Sequence, residues 1–84
     1  MDSVAGKVSV VTGASRGLGK AIALELAQAG ARLACVATRA ENAAGTVAEI
    51  KRQGGEALAF GCHVEVANEV TSLFGHVESE LGPV

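Results

Sequence analysis

A small parallel α/β sheet, three strands alternating with three helices, is the fold class this sequence predicts. Two patterns lead to it: short apolar runs recur along the chain, and the stretches between them carry apolar residues at helical spacing. A third observation agrees. Three glycines, Gly13, Gly17 and Gly19, crowd the first join between such a run and such a stretch. Alternation with short connections implies parallel strands linked by crossovers.

The first strand spans residues 7–12, KVSVVT. It is β-branched and almost continuously apolar, the habit of a strand covered on both faces. A helix follows over 17–29, with Leu18, Ile22 and Leu26 at i, i+4 and i+8, and Gly30 supplies its stop. The second strand is RLACVA, 32–37. The second helix, 40–53, aligns Ala43, Val47 and Ile50 on one face and closes at Gly54-Gly55. ALAFGC, 57–62, is the third strand.

The last helix, 67–81, carries the fullest amphipathic stripe: Val70, Leu73, Phe74, Val77 and Leu81, ended by Gly82-Pro83. The expected strand order is 3-2-1, with the first two helices on one sheet face and the third on the other. Residues 1–84 thus read as the N-terminal part of a doubly wound, Rossmann-type domain that stops where a fourth strand would begin.

Composition bounds what such a domain can do. A length of 84 residues allows one small domain, and 49% apolar residues with scattered charges favour a folded chain. Phe60 and Phe74 are the only aromatics, so the core rests on Val, Leu, Ile and Ala. A net charge of −2 with no basic stripe argues against nucleic acid or an anionic membrane as partner. The first residues, with an acid at Asp2, hold no apolar run long enough for a signal peptide or a membrane span. Cys35 and Cys62 have no metal-ligand spacing and read as small buried hydrophobes in a reducing compartment. The expected location is the cytosol, with the mitochondrial matrix as the alternative.

A strand running through a glycine turn into a helix is an anion site, because the helix N-terminus offers open N–H groups and the positive end of its dipole. Gly13 suits the sharp exit from the strand. Gly17 has no Cβ to keep a phosphate from the backbone, and Gly19 permits close packing of helix on sheet. The triphosphate loop G-x-x-x-x-G-K-[ST] does not fit. Aligned on Gly19-Lys20, it puts Ala14 where its first glycine belongs and Ala21 where its magnesium-binding hydroxyl belongs. The common dinucleotide spacing G-x-G-x-x-G fails too, since the spacing here is G-x-x-x-G-x-G.

Thr12-Gly13-Ala14-Ser15-Arg16-Gly17-Leu18-Gly19 resembles the cofactor motif of the short-chain dehydrogenase/reductase family. The resemblance continues through LAFGCHVEVANEV and the helix ending LGPV, and is strongest to the 3-oxoacyl-acyl-carrier-protein reductases and related carbonyl reductases. It implies a nicotinamide dinucleotide with Gly13, Ser15, Arg16, Gly17, Leu18 and Gly19 around its pyrophosphate. At the end of the second strand a carboxylate selects the ribose 2′-OH and a basic residue selects a 2′-phosphate. Here Thr38-Arg39 stands at that place and Arg16 faces it from the glycine turn, so NADP(H) is expected. The alternative is that both arginines are ordinary solvated charges.

One position departs from the family pattern. Where an Asp-Val pair usually lies near the adenine, this chain has His63-Val64. A neutral imidazole accepts a hydrogen bond there, so adenine binding survives in weakened form. Neither His63 nor His76 suggests a metal.

Carbonyl reduction by hydride needs a proton donor for the developing alkoxide. In the resembled family a Tyr and a Lys four residues later, with a Ser and an Asn, supply this from beyond the region matched here. The chain has no tyrosine, and none of its serines has a histidine at a spacing that suggests an activated nucleophile. No catalytic residue is therefore assigned within it. Two readings follow: the cofactor-binding part of an NADPH-dependent carbonyl reductase, or a non-catalytic short form that binds nucleotide or pairs with full-length subunits. In the second, the exposed edge of the first strand is the template for self-association or pairing.

Overall fold

The structure, a computed structural model, describes residues 4–84, and Asp2 lies outside the described residues. In chain order the elements are β1 (Val8–Thr12), α1 (Gly17–Gln28), β2 (Arg32–Ala37), α2 (Ala40–Arg52), β3 (Glu56–Gly61) and α3 (Ala67–Leu81). The strands form one parallel sheet with β2 in the middle, the order expected from the sequence. Val8 pairs with Arg32 and Arg32 with Glu56, so all three strands start in line and finish at one end. At the starting end the Arg32 guanidinium bridges to Glu56 at 3.1 Å.

Side chains alternate across each strand and build two cores. Val11 of β1, Leu33 and Cys35 of β2 and Ala57 of β3 face α1 and α2, where they meet Ala23, Ala43, Val47 and Ile50. Val8, Ala34 and Val36 face the other way, onto Leu73, Val77 and Leu81 of α3. The first two helices therefore share one face and the third covers the other. Only the central strand is buried along nearly its whole length, because β1 and β3 are the edge strands of the sheet formed by the described residues.

Two apolar stripes differ from the sequence reading. On α1, Leu18 and Ile22 are 77% and 42% exposed, while Ala23 is buried and Leu26 and Ala27 are partly buried against the sheet. The inward row is Gly19, Ala23, Leu26 and Ala27. Its small residues bring the helix axis close to the sheet, and the bulkier Leu18 and Ile22 turn outward. On α3 the inward row is Leu73, Val77 and Leu81, with Val70 partly buried, and it leaves Phe74 42% exposed, one position off the row. Strand and helix ends shift by one residue from the sequence reading, at Lys7, Ala29, Gln53, Glu56 and Cys62.

Candidate functional site

The carboxyl ends of the parallel strands lead into turns that surround a hollow of about 400 Å³. Thr12, Gly13 and Ser15 line it from the turn after β1, and Thr38 and Asn42 from the turn after β2 and the first turn of α2. Cys62, Val64 and Glu65 line it from the turn after β3. Ligands of open α/β sheets bind at this end. Of the residues expected from the sequence, Gly13, Ser15, Thr38 and Val64 meet at this hollow. Arg16, Gly17, Leu18, Gly19, Arg39 and His63 do not line it.

The glycine turn is backbone chemistry. Gly13 and Gly17 have φ of 64° and 60°, the left-handed region that L side chains rarely adopt. A Cβ at either would meet only open space, so the turn exposes bare backbone there. Gly19 is limited by space instead: a Cβ would overlap the Gly13 carbonyl oxygen and come within 2.6 Å of its carbon. Between them, Ala14 is fully buried. Its N–H donates to the Val36 carbonyl at 2.9 Å, and its own carbonyl accepts from the Thr46 hydroxyl at 2.6 Å.

Arg16 precedes α1 in extended conformation, and no side chain caps the helix. The first turn of α1 holds no acid, whereas α2 and α3 carry Glu41 and Glu69 there. Leu18 and Gly19 belong to that first turn, where N–H groups lack intrahelical acceptors. Arg39 precedes α2 and pairs through Nε with Glu41 at 3.0 Å, both side chains well exposed.

His63 is engaged by Glu69. One carboxylate oxygen of Glu69 accepts the His63 backbone N–H at 2.8 Å and lies 3.0 Å from Nδ1. The backbone bond first, then the ring bond, holds the Glu69 carboxyl below its ordinary range. When Nδ1 of the neutral ring donates to that oxygen, Nε2 is left as the acceptor.

Both cysteines are buried and free. Burial pushes the Cys35 thiol up to about 11. Burial and then the carboxylates of Glu69 and Glu65 raise Cys62. Neither thiol offers a thiolate near neutrality. Among the described residues no group of three or more His, Cys, Asp or Glu gathers as a metal cage. No helix among them is long and apolar enough to cross a membrane.

Cys62, expected from the sequence as a buried hydrophobe, lines the hollow, and Asn42 and Glu65 line it without having been singled out in the sequence. Their signal was position alone, at or just beyond the carboxyl ends of the second and third strands.

An open parallel sheet with a glycine turn and a helix N-terminus at its carboxyl end is the architecture of the dinucleotide-binding α/β proteins. The short chain dehydrogenase family model matches residues 7–84, and the chain belongs to this family. The 3-oxoacyl-[acyl-carrier-protein] reductase of Rattus norvegicus is 47% identical over 78 residues, covering 93% of this chain and 32% of the relative. A short chain dehydrogenase of Pseudocercospora fijiensis is 39% identical over 79 residues, covering 94% of this chain and 26% of the relative.

A metagenomic short-chain oxidoreductase solved in complex with NADP superposes with a TM-score of 0.88 at 37% identity, over 96% of this chain and 37% of that one. Hydroxysteroid dehydrogenase from Escherichia coli superposes with a TM-score of 0.92 at 37% identity, over 96% of this chain and 34% of that one. The chain spans a quarter to a third of the length of the curated relatives named here.

Proposed function

We propose that this chain is the NADP(H)-binding part of an oxidoreductase whose whole activity is NADPH-dependent reduction of a 3-oxoacyl thioester or a similar carbonyl. The observation that carries the reading is the acid-free N-terminus of α1 behind the Gly13–Gly17–Gly19 turn, beside a hollow shared by all three strand ends. The residues fit a dinucleotide. Backbone left bare at Gly13 and Gly17 admits a pyrophosphate, and the positive end of α1 stabilises its charge.

In this reading Ser15, Leu18 and Gly19 hold the pyrophosphate, and Arg16, Thr38 and Arg39 take the 2′-phosphate. His63 and Val64 flank the adenine. The Arg39–Glu41 pair is exposed and weak, so the guanidinium is free to turn to a phosphate, which it binds more strongly. The name of the Rattus norvegicus relative supports the thioester substrate, and the NADP complex supports the cofactor.

The bound dinucleotide supplies the hydride, and the chain's residues orient and anchor it. With no tyrosine in the sequence, the proton donor comes from outside these residues. The chain alone then binds NADPH without reducing a carbonyl. The free β1 edge favours a further role, pairing with a second copy or with a longer subunit of the same family.

Calorimetric titration with NADPH and NADH, followed by an NADPH-oxidation assay with an acetoacetyl thioester, tests the reading. The assay compares the chain with its fusion to the remainder of a related reductase. Expected are preferential NADPH binding, no turnover by the chain and turnover by the fusion. Absence of dinucleotide binding, or turnover by the chain alone, overturns it.

A further inference from the structure

We propose that Thr46, on α2, is a positioning residue for the pyrophosphate turn, an inference that rests on the dinucleotide reading above. Thr46 is the buried polar side chain among the described residues, 1% exposed. A threonine inside a helix ordinarily returns its hydroxyl to the carbonyl four residues back, as Thr71 does to Ala67 at 3.2 Å. Thr46 does not. Its hydroxyl leaves the helix and donates at 2.6 Å to the carbonyl of Ala14, 32 residues away and inside the glycine turn.

That bond sets a direction. The peptide joining Ala14 to Ser15 is planar, and in a trans peptide the N–H points opposite to the C=O. With the Ala14 carbonyl drawn inward to a buried hydroxyl, the Ser15 N–H is turned out of the core, and Ser15 lines the hollow. The preceding peptide is fixed as well, because the Ala14 N–H donates to Val36 at the end of β2. The turn is thus tied to β2 on one side and to α2 on the other. Thr46 aims a phosphate-binding amide without touching the phosphate.

The test uses Thr46→Val, which keeps the shape and removes the donor, and Thr46→Ser, which keeps the donor and removes a methyl. NADPH probes the pyrophosphate turn, and adenosine 2′-monophosphate probes the ribose end without a pyrophosphate. Thr46→Val is expected to weaken NADPH about tenfold, leaving adenosine 2′-monophosphate within about twofold. Thr46→Ser should bind both like the parent, although the lost methyl lowers its melting temperature. A purely structural role predicts losses that follow stability in both variants and for both ligands.

Amide exchange gives a second readout without ligand. The Ala14 amide should exchange about tenfold faster in Thr46→Val, relative to the Cys35 amide, and unchanged in Thr46→Ser. Should Thr46→Val not fold, Thr46→Ala, which also removes the donor, carries the same expectations. If the parent binds no dinucleotide, the dinucleotide reading falls and amide exchange alone decides the positioning. NADPH binding by Thr46→Val equal to the parent, equal losses for both ligands, or an unchanged Ala14 exchange rate overturns the inference.

Discussion

Replacing Gly19 by alanine sets two effects of opposite sign against each other. Inside α1 alanine gains about 1 kcal/mol over glycine in helix propensity. The new methyl, however, overlaps the Gly13 carbonyl oxygen, lies 2.6 Å from its carbon and 3.1 Å from the Thr12 carbonyl oxygen. These are backbone atoms at the end of β1, so no side chain can rotate away, and either α1 or the turn must move. Forcing a methyl into such a contact costs roughly 1–3 kcal/mol. With a gap this short the upper part of that range applies, and the net loss is about 1–2 kcal/mol. For a domain of this size that lowers the melting temperature by roughly 5–15 °C.

Gly45→Ala and Gly75→Ala are the controls, since each lies in a helix with nothing within 4 Å of the added methyl. Each should gain up to about 1 kcal/mol and melt higher. Circular dichroism melts of the three variants at low micromolar concentration, paired with NADPH titrations, make the comparison. A Gly19→Ala protein that melts at or above the parent would show that the turn is not held in this close approach.

Arg39→Asp should reverse the preference between NADPH and NADH. A charge-assisted contact to phosphate is worth about 1.5–3 kcal/mol, roughly ten- to hundredfold in affinity, and equal binding of both cofactors by the parent sinks the assignment. The Glu69 carboxyl titrates lower folded than unfolded, so its stabilising effect is full above its ordinary value of 4.5 and is lost as pH falls through the depressed one. Urea midpoints from pH 7 to pH 3 should accordingly fall less steeply in Glu69→Gln than in the parent, and parallel curves would contradict this. The free edge of β1, with Val8, Val10 and Val11 in a short strand, should make the chain self-associate as concentration rises. A monomeric sedimentation profile at high concentration with a sharp cooperative melt would refute that.

Element order, strand order and the distribution of helices over the two faces were legible because they follow from periodicity and parallel topology. The inward face of α2 was legible for the same reason: Ala43, Val47 and Ile50 are buried together. The face of α1 was not. Its contact with the sheet is made by glycine and alanine, which carry little hydropathy signal, so the larger Leu18 and Ile22 suggested the wrong side. Thr46 was invisible because a threonine in a polar-looking helix acquires its meaning only when α2 is laid beside the turn at Ala14. The hollow was half legible. Turn residues with a motif were found, whereas Asn42 and Glu65, which have only position to mark them, were not.

All three helices begin at the carboxyl end of the sheet, so three positive helix ends lie at the end where the hollow opens. Two are answered by the chain's own acids. Glu69 holds the His63 N–H and ring at the start of α3, and Glu41 stands in the first turn of α2 paired with Arg39. Only α1 is left for an outside anion. Under the proposed function, this arrangement puts Glu41 in competition with a 2′-phosphate for Arg39. The competition is mild, since the pair is exposed and such pairs contribute little. Glu41→Gln should therefore free Arg39 and remove a repelling charge, raising NADPH affinity a few-fold at low salt while leaving NADH nearly unchanged. The gain should shrink as salt screens the charges. If the ratio of NADPH to NADH affinity falls in Glu41→Gln, Arg39 is not the residue that meets the phosphate, and selectivity at this end of the sheet has another source.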